Sequence, residues 1–337
     1  HRETEANLSA KAPSAFLPEP DPARYSAATD LALAAKTPAV VGNVVFGSAG
    51  WTDKTLVRGG LFYPKGCSSA ESRLRFYASQ FSMVEVDATY YTLLPPETAE
   101  RWLECTPPSF VFDVKAHPIV TGHPVDVARL PGDLARALAG RGPRLYPERM
   151  PREIADEIAQ RFRALLQPLV HAGRLGCVMA QFPPWFSATR GNARKLEGLR
   201  ERWPEVPISV EFRNKSWLLS ERRERVFDLL RSLQLFYVCV DEPDVDQGGV
   251  PPVTVVTNPE LALVRFHGHN RAGWTKKGAS VHERFDYLYA PEELASWARP
   301  VRALADKASR VHAIFNNCVR NYAVLGAKGL SVLVESG

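Results

Sequence analysis

Residues 83–87 read Met83-Val84-Glu85-Val86-Asp87. Two carboxylates stand two positions apart in an otherwise apolar, β-branched run. Side chains i and i+2 of a strand share a face, so Glu85 and Asp87 point together while Val86 points the other way. The pattern recurs twice: Ser209-Val210-Glu211-Phe212-Arg213 pairs Glu211 with Arg213, and Val264-Arg265-Phe266-His267 pairs Arg265 with His267. Charge held between apolar neighbours is costly unless it is paired or used. Three such strands predict one shared polar interior or rim, with Val86, Phe212 and Phe266 packed behind it.

Working outward, strand-like runs are expected at Val44–Gly47, Met83–Asp87, Phe110–Lys115, Gly176–Gln181, Ile208–Phe212, Phe236–Asp241, Leu261–His267 and Val311–Phe315. Helix-like stretches separate them. Ser68-Ser69-Ala70-Glu71 has capping-box spacing, and Pro95-Pro96-Glu97 opens a helix where a missing N–H costs nothing. Residues 151–171, 220–233 and 291–304 are amphipathic. Eight strands alternating with helices predict an α/β fold, a TIM-like (β/α)8 barrel in a single domain over 43–337. An open doubly wound sheet is the alternative, but Gly47-Ser48-Ala49-Gly50 is not the glycine-rich phosphate turn such a sheet would carry. Residues 1–42, rich in Ala and Pro, read as an N-terminal extension with a short helix at Tyr25–Ala35.

Composition narrows the function classes. The apolar fraction of 45% is ordinary for a globular chain, and no run reaches the length of a membrane span. Five cysteines, odd in number and widely spaced, give neither a disulfide framework nor a zinc cage, and fit a reducing cytoplasm. The net charge of +5 permits a phosphate-bearing or nucleic-acid partner without requiring one. No nucleophile elbow or Walker motif is present.

Several motifs occur in a recognisable order. They are Gly47-Ser-Ala-Gly-Trp51, Phe62-Tyr-Pro64, Val84-Glu-Val-Asp87, Tyr90-Tyr91, Phe112-Asp-Val-Lys115, Gln181-Phe-Pro-Pro184, Glu211-Phe-Arg213 with Ser216-Trp217, Arg265-Phe-His-Gly268 and Phe315-Asn-Asn317. Together they resemble the YecE-like family, also called domain of unknown function 72, over about residues 44–333. The resemblance implies a TIM-barrel fold and no particular reaction.

In a barrel, functional groups come from strand C-terminal ends. Glu211 is the first candidate for a general acid or base, with Glu85 or Asp87 as its partner carboxylate. Arg213 would orient it or hold substrate. Trp51, Lys115, Gln181, Asp241, Arg265, His267, Asn316 and Asn317 complete a substrate-binding set. The loop after the seventh strand, with Gly268, Arg271, Gly273, Trp274, Lys276 and Lys277, is expected to bind an anion beside Arg265. Capping the next helix is the simpler role for one of Asn316 and Asn317. A buried network closing the mouth, with Glu211 on Arg213 or Arg265 and Glu85 on Lys115, is the structural alternative. The donor set is poor in His, so no cofactor is expected, a divalent metal being the weaker alternative. The functional expectation is a small anionic or polyhydroxylated ligand, with hydrolase, isomerase or lyase chemistry all open. The alternatives are nucleic-acid binding through basic helices and the seventh loop, or a scaffold without catalysis.

Overall fold

The computed structural model describes residues 19–246 and 248–337. The first part of the expected extension, residues 1–18, lies outside them. All eight expected strands are present, each within one residue of its expected ends: β1 Val44–Ser48, β2 Met83–Val86, β3 Val111–Lys115, β4 Leu175–Gln181, β5 Ile208–Glu211, β6 Phe236–Asp241, β7 Ala262–Phe266 and β8 Val311–Phe315. Every pairing among them is parallel. The sheet runs β1-β8-β7-β6-β5-β4-β3-β2, with the short strand Val40–Val41 antiparallel on the outer edge of β1.

The sheet curls until β1 meets β2. There the ladder reduces to two isolated parallel bridges, Ala39 with Phe81 and Ala49 with Glu85. Gly50 N donates to Glu85 O at 2.8 Å across this seam. Between the bridges, Tyr77 from the helix Ala70–Gln80 supplies the hydroxyl that accepts from Ser48 N at 2.8 Å. Gly47 allows the close approach, because a Cβ there would stand 2.5 Å from Met83 O.

Helices wrap the outside where the amphipathic patterns placed them, including Arg152–His171, Arg223–Ser232 and Pro291–Ala305. The expected Ser68–Glu71 capping box is corrected by one register. Ser69 is the cap, and Ser72 supplies the reciprocal hydroxyl where Glu71 was expected to supply a carboxylate. The helix in the extension is Pro22–Leu33, starting earlier than expected because Asp21 caps it and Pro22 occupies its first turn. Phe212 stacks on Trp217, and Phe266 on Phe315, so the apolar phase of the polar strands does face the outer layer.

Low in the barrel, His312 of β8 meets Asp113 of β3 at 2.8 Å, both fully buried. β8 and β3 are not neighbours, so this contact crosses the interior. A bulge in the β3–β4 pairing makes room for it. A Cβ on Gly176 would stand 2.2 Å from Asp113 Oδ1.

Candidate functional site

One guanidinium organises the upper interior. Arg265 Nε and Nη2 donate to Glu85 Oε2 and Oε1 at 2.8 and 2.6 Å. Its Nη1 donates to Glu211 Oε2 at 2.6 Å. These residues sit on β2, β5 and β7, none adjacent in the sheet, so the fork spans the barrel. All three are fully buried. The expected network therefore forms, with one correction: Glu85 pairs with Arg265, not Lys115. Arg265 lies opposite Glu85 across the interior and reaches both its oxygens, whereas Lys115 lies higher, level with Asp87.

Above this layer, Arg213 Nε lies 2.6 Å from Glu211 Oε1, off the hydrogen-bond direction, and its Nη1 donates to Glu242 Oε2 at 2.6 Å. His267 Nε2 approaches Arg213 Nη2 at 3.1 Å, and Asn316 Nδ2 approaches His267 Nδ1 at 3.0 Å. Gln181 Oε1 accepts from Arg265 and Arg213 at 3.3 and 3.4 Å. At the rim, Asp87 Oδ1 lies 3.5 Å from Lys115 Nζ, which also stands over the Tyr90 ring at 5.0 Å.

These surroundings divide the carboxylates. Burial opposes charge on Glu211, but Arg213, Arg265 and His267 hold it well below the usual carboxylate range. Burial pushes Glu85 up to about 8 against the pull of Arg265. Burial would also raise Asp87, yet Lys115 and Glu85 keep it low. Burial lifts Glu242 to about 8, with Arg213 opposing and Glu211 adding to the rise. Burial and Arg213 push His267 down to about 3, so it is neutral at ordinary pH.

Other expected site residues are placed elsewhere. Trp51 is buried against Trp102 and its Nε1 donates to Ala70 O. Asp241 turns to Tyr289 Oη at 2.7 Å and His269 Nε2 at 3.0 Å, away from Arg213. Glu242, which the sequence reading passed over, takes the place beside Arg213. Asn317 donates to Tyr287 O, and neither Asn316 nor Asn317 caps the following helix, whose first flanking residue is Asn321. In the seventh loop the proposed anion donors are occupied. Gly268 N donates to Tyr289 Oη, Gly273 N to Asn270 Oδ1, and Arg271 Nη1 to Asp244 O. Lys276 pairs with Glu283. The loop instead lays Phe285 and Trp274 against the His267 ring, with centroids at 5.7 and 6.2 Å.

The family model described as protein of unknown function DUF72 matches residues 45–337. This chain belongs to the DUF72 family. It is 31% identical over 277 residues to the UPF0759 protein YunF of Bacillus subtilis, covering 81% of this chain and 88% of that one. A DUF72 family protein from Enterococcus faecalis matches with a TM-score of 0.70 at 27% identity, covering 86% of this chain and 95% of that one. One from Thermotoga maritima matches with a TM-score of 0.67 at 30% identity, covering 87% and 99%. These DUF72 structures support the TIM-like fold. Among the described residues of this DUF72 chain, no helix is long and apolar enough to cross a membrane. No group of three His, Cys, Asp or Glu side chains among them is placed to hold a metal ion.

A titration follows from the site of this DUF72 member. Glu242 has a folded pKa near 8, above its unfolded value. Its contribution is fully present below the unfolded carboxylate pKa and is lost as pH rises through about 8. Wild-type Tm, followed by calorimetry at fixed ionic strength, should fall between about pH 5 and 9, within the surveyed stability window and just beyond it. Glu242→Gln should flatten that fall. Equal slopes for the two proteins would show that Glu242 does not titrate there.

Proposed function

We propose that this chain binds a small anionic, polyhydroxylated ligand at the barrel mouth and acts on it by carboxylate acid–base chemistry. The observation that carries this reading is the state of Lys115. Its side chain is nearly buried, yet its one ion pair among the described residues, to Asp87, is stretched to 3.5 Å. Arg265, by contrast, is saturated by short contacts with Glu85 and Glu211. The cation open to an incoming anionic group is therefore Lys115, and the anion position moves from the seventh loop to the ends of β2 and β3.

Asp87 is the carboxylate within reach of such a ligand, since 30% of its side chain is exposed whereas Glu85 and Glu211 are sealed. Held ionised beside Lys115, it suits the role of base. Glu85, sealed behind Asp87 with both oxygens on Arg265, does not reach the ligand itself. Glu211 becomes the counter-ion that positions Arg213 and Arg265. Gln181 gives its carbonyl to the two arginines and keeps its amide for a ligand hydroxyl.

The basic helices support nucleic-acid binding less well. Arg161 is paired with Asp133 and Glu157, Arg152 with Asp156, and Lys195 with Glu148. The test is a thermal-shift panel of sugar phosphates, sugar acids and nucleotides at constant salt. A ligand at 100 times its Kd should add about 2.7 kcal/mol of stability. Lys115→Met should remove the shift while leaving the unliganded Tm unchanged or higher. A shift that survives Lys115→Met, or a silent panel with the wild-type protein, would overturn the proposal.

A further inference from the structure

One surface beside the mouth meets the network described above only where Lys115 stands over Tyr90. Five rings stand in a continuous row of edge-on contacts over the loops after β2, β3 and β4. Tyr91 meets Tyr90 at 5.2 Å, Tyr90 meets His123 at 5.4 Å, His123 meets Trp185 at 5.8 Å, and Trp185 meets Tyr146 at 6.4 Å. Trp185 is 58% exposed, more than Tyr91 and Tyr146 in the same row. It shares with Arg213 and Lys215 the wall of a cleft of about 640 Å3, a size suited to a small ligand.

We infer that Trp185 is the stacking platform for the planar base of a nucleotide whose phosphate is held at Lys115. This rests on the ligand site proposed above and narrows its ligand class. Three observations carry it.

First, no ring lies parallel on Trp185 within the row, its neighbours standing at 69° (His123) and 73° (Tyr146), and 58% of the residue is exposed. An indole face is a sequence-tolerant surface for any base.

Second, the neutral polar side chains lining the cleft are already engaged, leaving the exposed Lys215 and Asp246 at its rim. Asn214 donates to Pro184 O at 2.6 Å and accepts from Ser216 N at 3.0 Å, while Ser216 Oγ accepts from Ala188 N at 2.8 Å. A sugar ring against the Trp185 wall would find Asn214 and Ser216 already bonded to backbone. A base needs chiefly a flat apolar face.

Third, the row reaches the cation assigned to the phosphate, because Lys115 Nζ stands 5.0 Å from the Tyr90 ring and Tyr90 meets His123 at 5.4 Å. Burial, Lys115 and Arg213 together push His123 down to about 4. The ring beside Trp185 is therefore neutral at ordinary pH. Base and phosphate subsites are thus joined through Tyr90 and His123.

The experiment compares adenosine 5′-monophosphate with ribose 5-phosphate by titration calorimetry at fixed salt, on wild type, Trp185→Ala and Trp185→Phe. Wild type should bind the nucleotide about tenfold or more tightly than the sugar phosphate. Trp185→Ala should bring the nucleotide down to the sugar phosphate's affinity and leave the latter unchanged, and Trp185→Phe should retain most of the preference. Equal affinities, untouched by Trp185→Ala, would overturn the stacking inference while leaving the Lys115 site standing. Binding of neither compound, nor of inorganic phosphate, would overturn both. A uronic-acid disaccharide that binds through Trp185 and displaces the nucleotide would overturn the inference in favour of a carbohydrate.

Discussion

Arg265→Met is expected to destabilise the fold by about 3–5 kcal/mol, the usual cost of breaking a buried ion pair by deleting one partner. The side chain removed is fully buried and donates three times to two equally buried carboxylates. Methionine fills much of the volume, so the loss is electrostatic. Glu85 and Glu211 would face each other without their shared counter-ion. The sign with pH follows. Each orphaned carboxylate would have a folded pKa above its unfolded value. The variant would be most stable below the ordinary carboxylate range and would weaken as pH rises. Urea unfolding at several pH values reads both effects, with an unchanged m-value showing that only stability moved. A loss under about 1 kcal/mol would mean that the cluster is no better held than a surface pair.

The second large effect is at the seam. Gly47→Ala should cost about 3 kcal/mol, the upper part of the range for overpacking. The new methyl would stand 2.5 Å from both the carbonyl oxygen and the sulfur of Met83. The sulfur can swing aside. The carbonyl belongs to β2 and moves only if the strands part. Hydrogen exchange should show the Ala39 and Gly50 amides, which bond across the seam at 3.0 and 2.8 Å, losing protection ahead of the rest of the sheet. Adding Met83→Ala should fail to restore stability. Full restoration would show that the sulfur alone was the obstacle.

Strand positions were legible in the sequence because each run is short, β-branched and bounded by turn residues. The site was legible where polar and apolar residues alternate. Glu85, Glu211, Arg213, Arg265 and His267 all lie in such segments, and the structure brings them together. β6 was not legible. Phe236-Tyr-Val-Cys-Val240 is apolar on both faces, as in any strand buried on both sides, so its phase cannot be read. Asp241 was therefore assigned to the mouth in place of Glu242, one residue on. The partner of Glu85 was misread for a different reason. Lys115 is near in sequence and on the adjacent strand, whereas Arg265 is 180 residues away and opposite. Only closure of the barrel makes that pair. The internal acceptors of the loop amides, Tyr289 for Gly268 and Asn270 for Gly273, were not legible because tertiary packing sets them.

The two polar storeys of the interior join opposite sides of the chain. Glu85 and Asp113 come from the first four strands; Glu211, Arg265 and His312 come from the last four. Neither half of the molecule holds a balanced set of charges. A fragment ending after β4 would keep acids meant for burial without the guanidinium and imidazole that answer them. The complementary fragment would keep Arg265 with only one of its two carboxylates. The protein is thus indivisible for an electrostatic reason, and its two halves are expected to become stable only when each supplies what the other lacks.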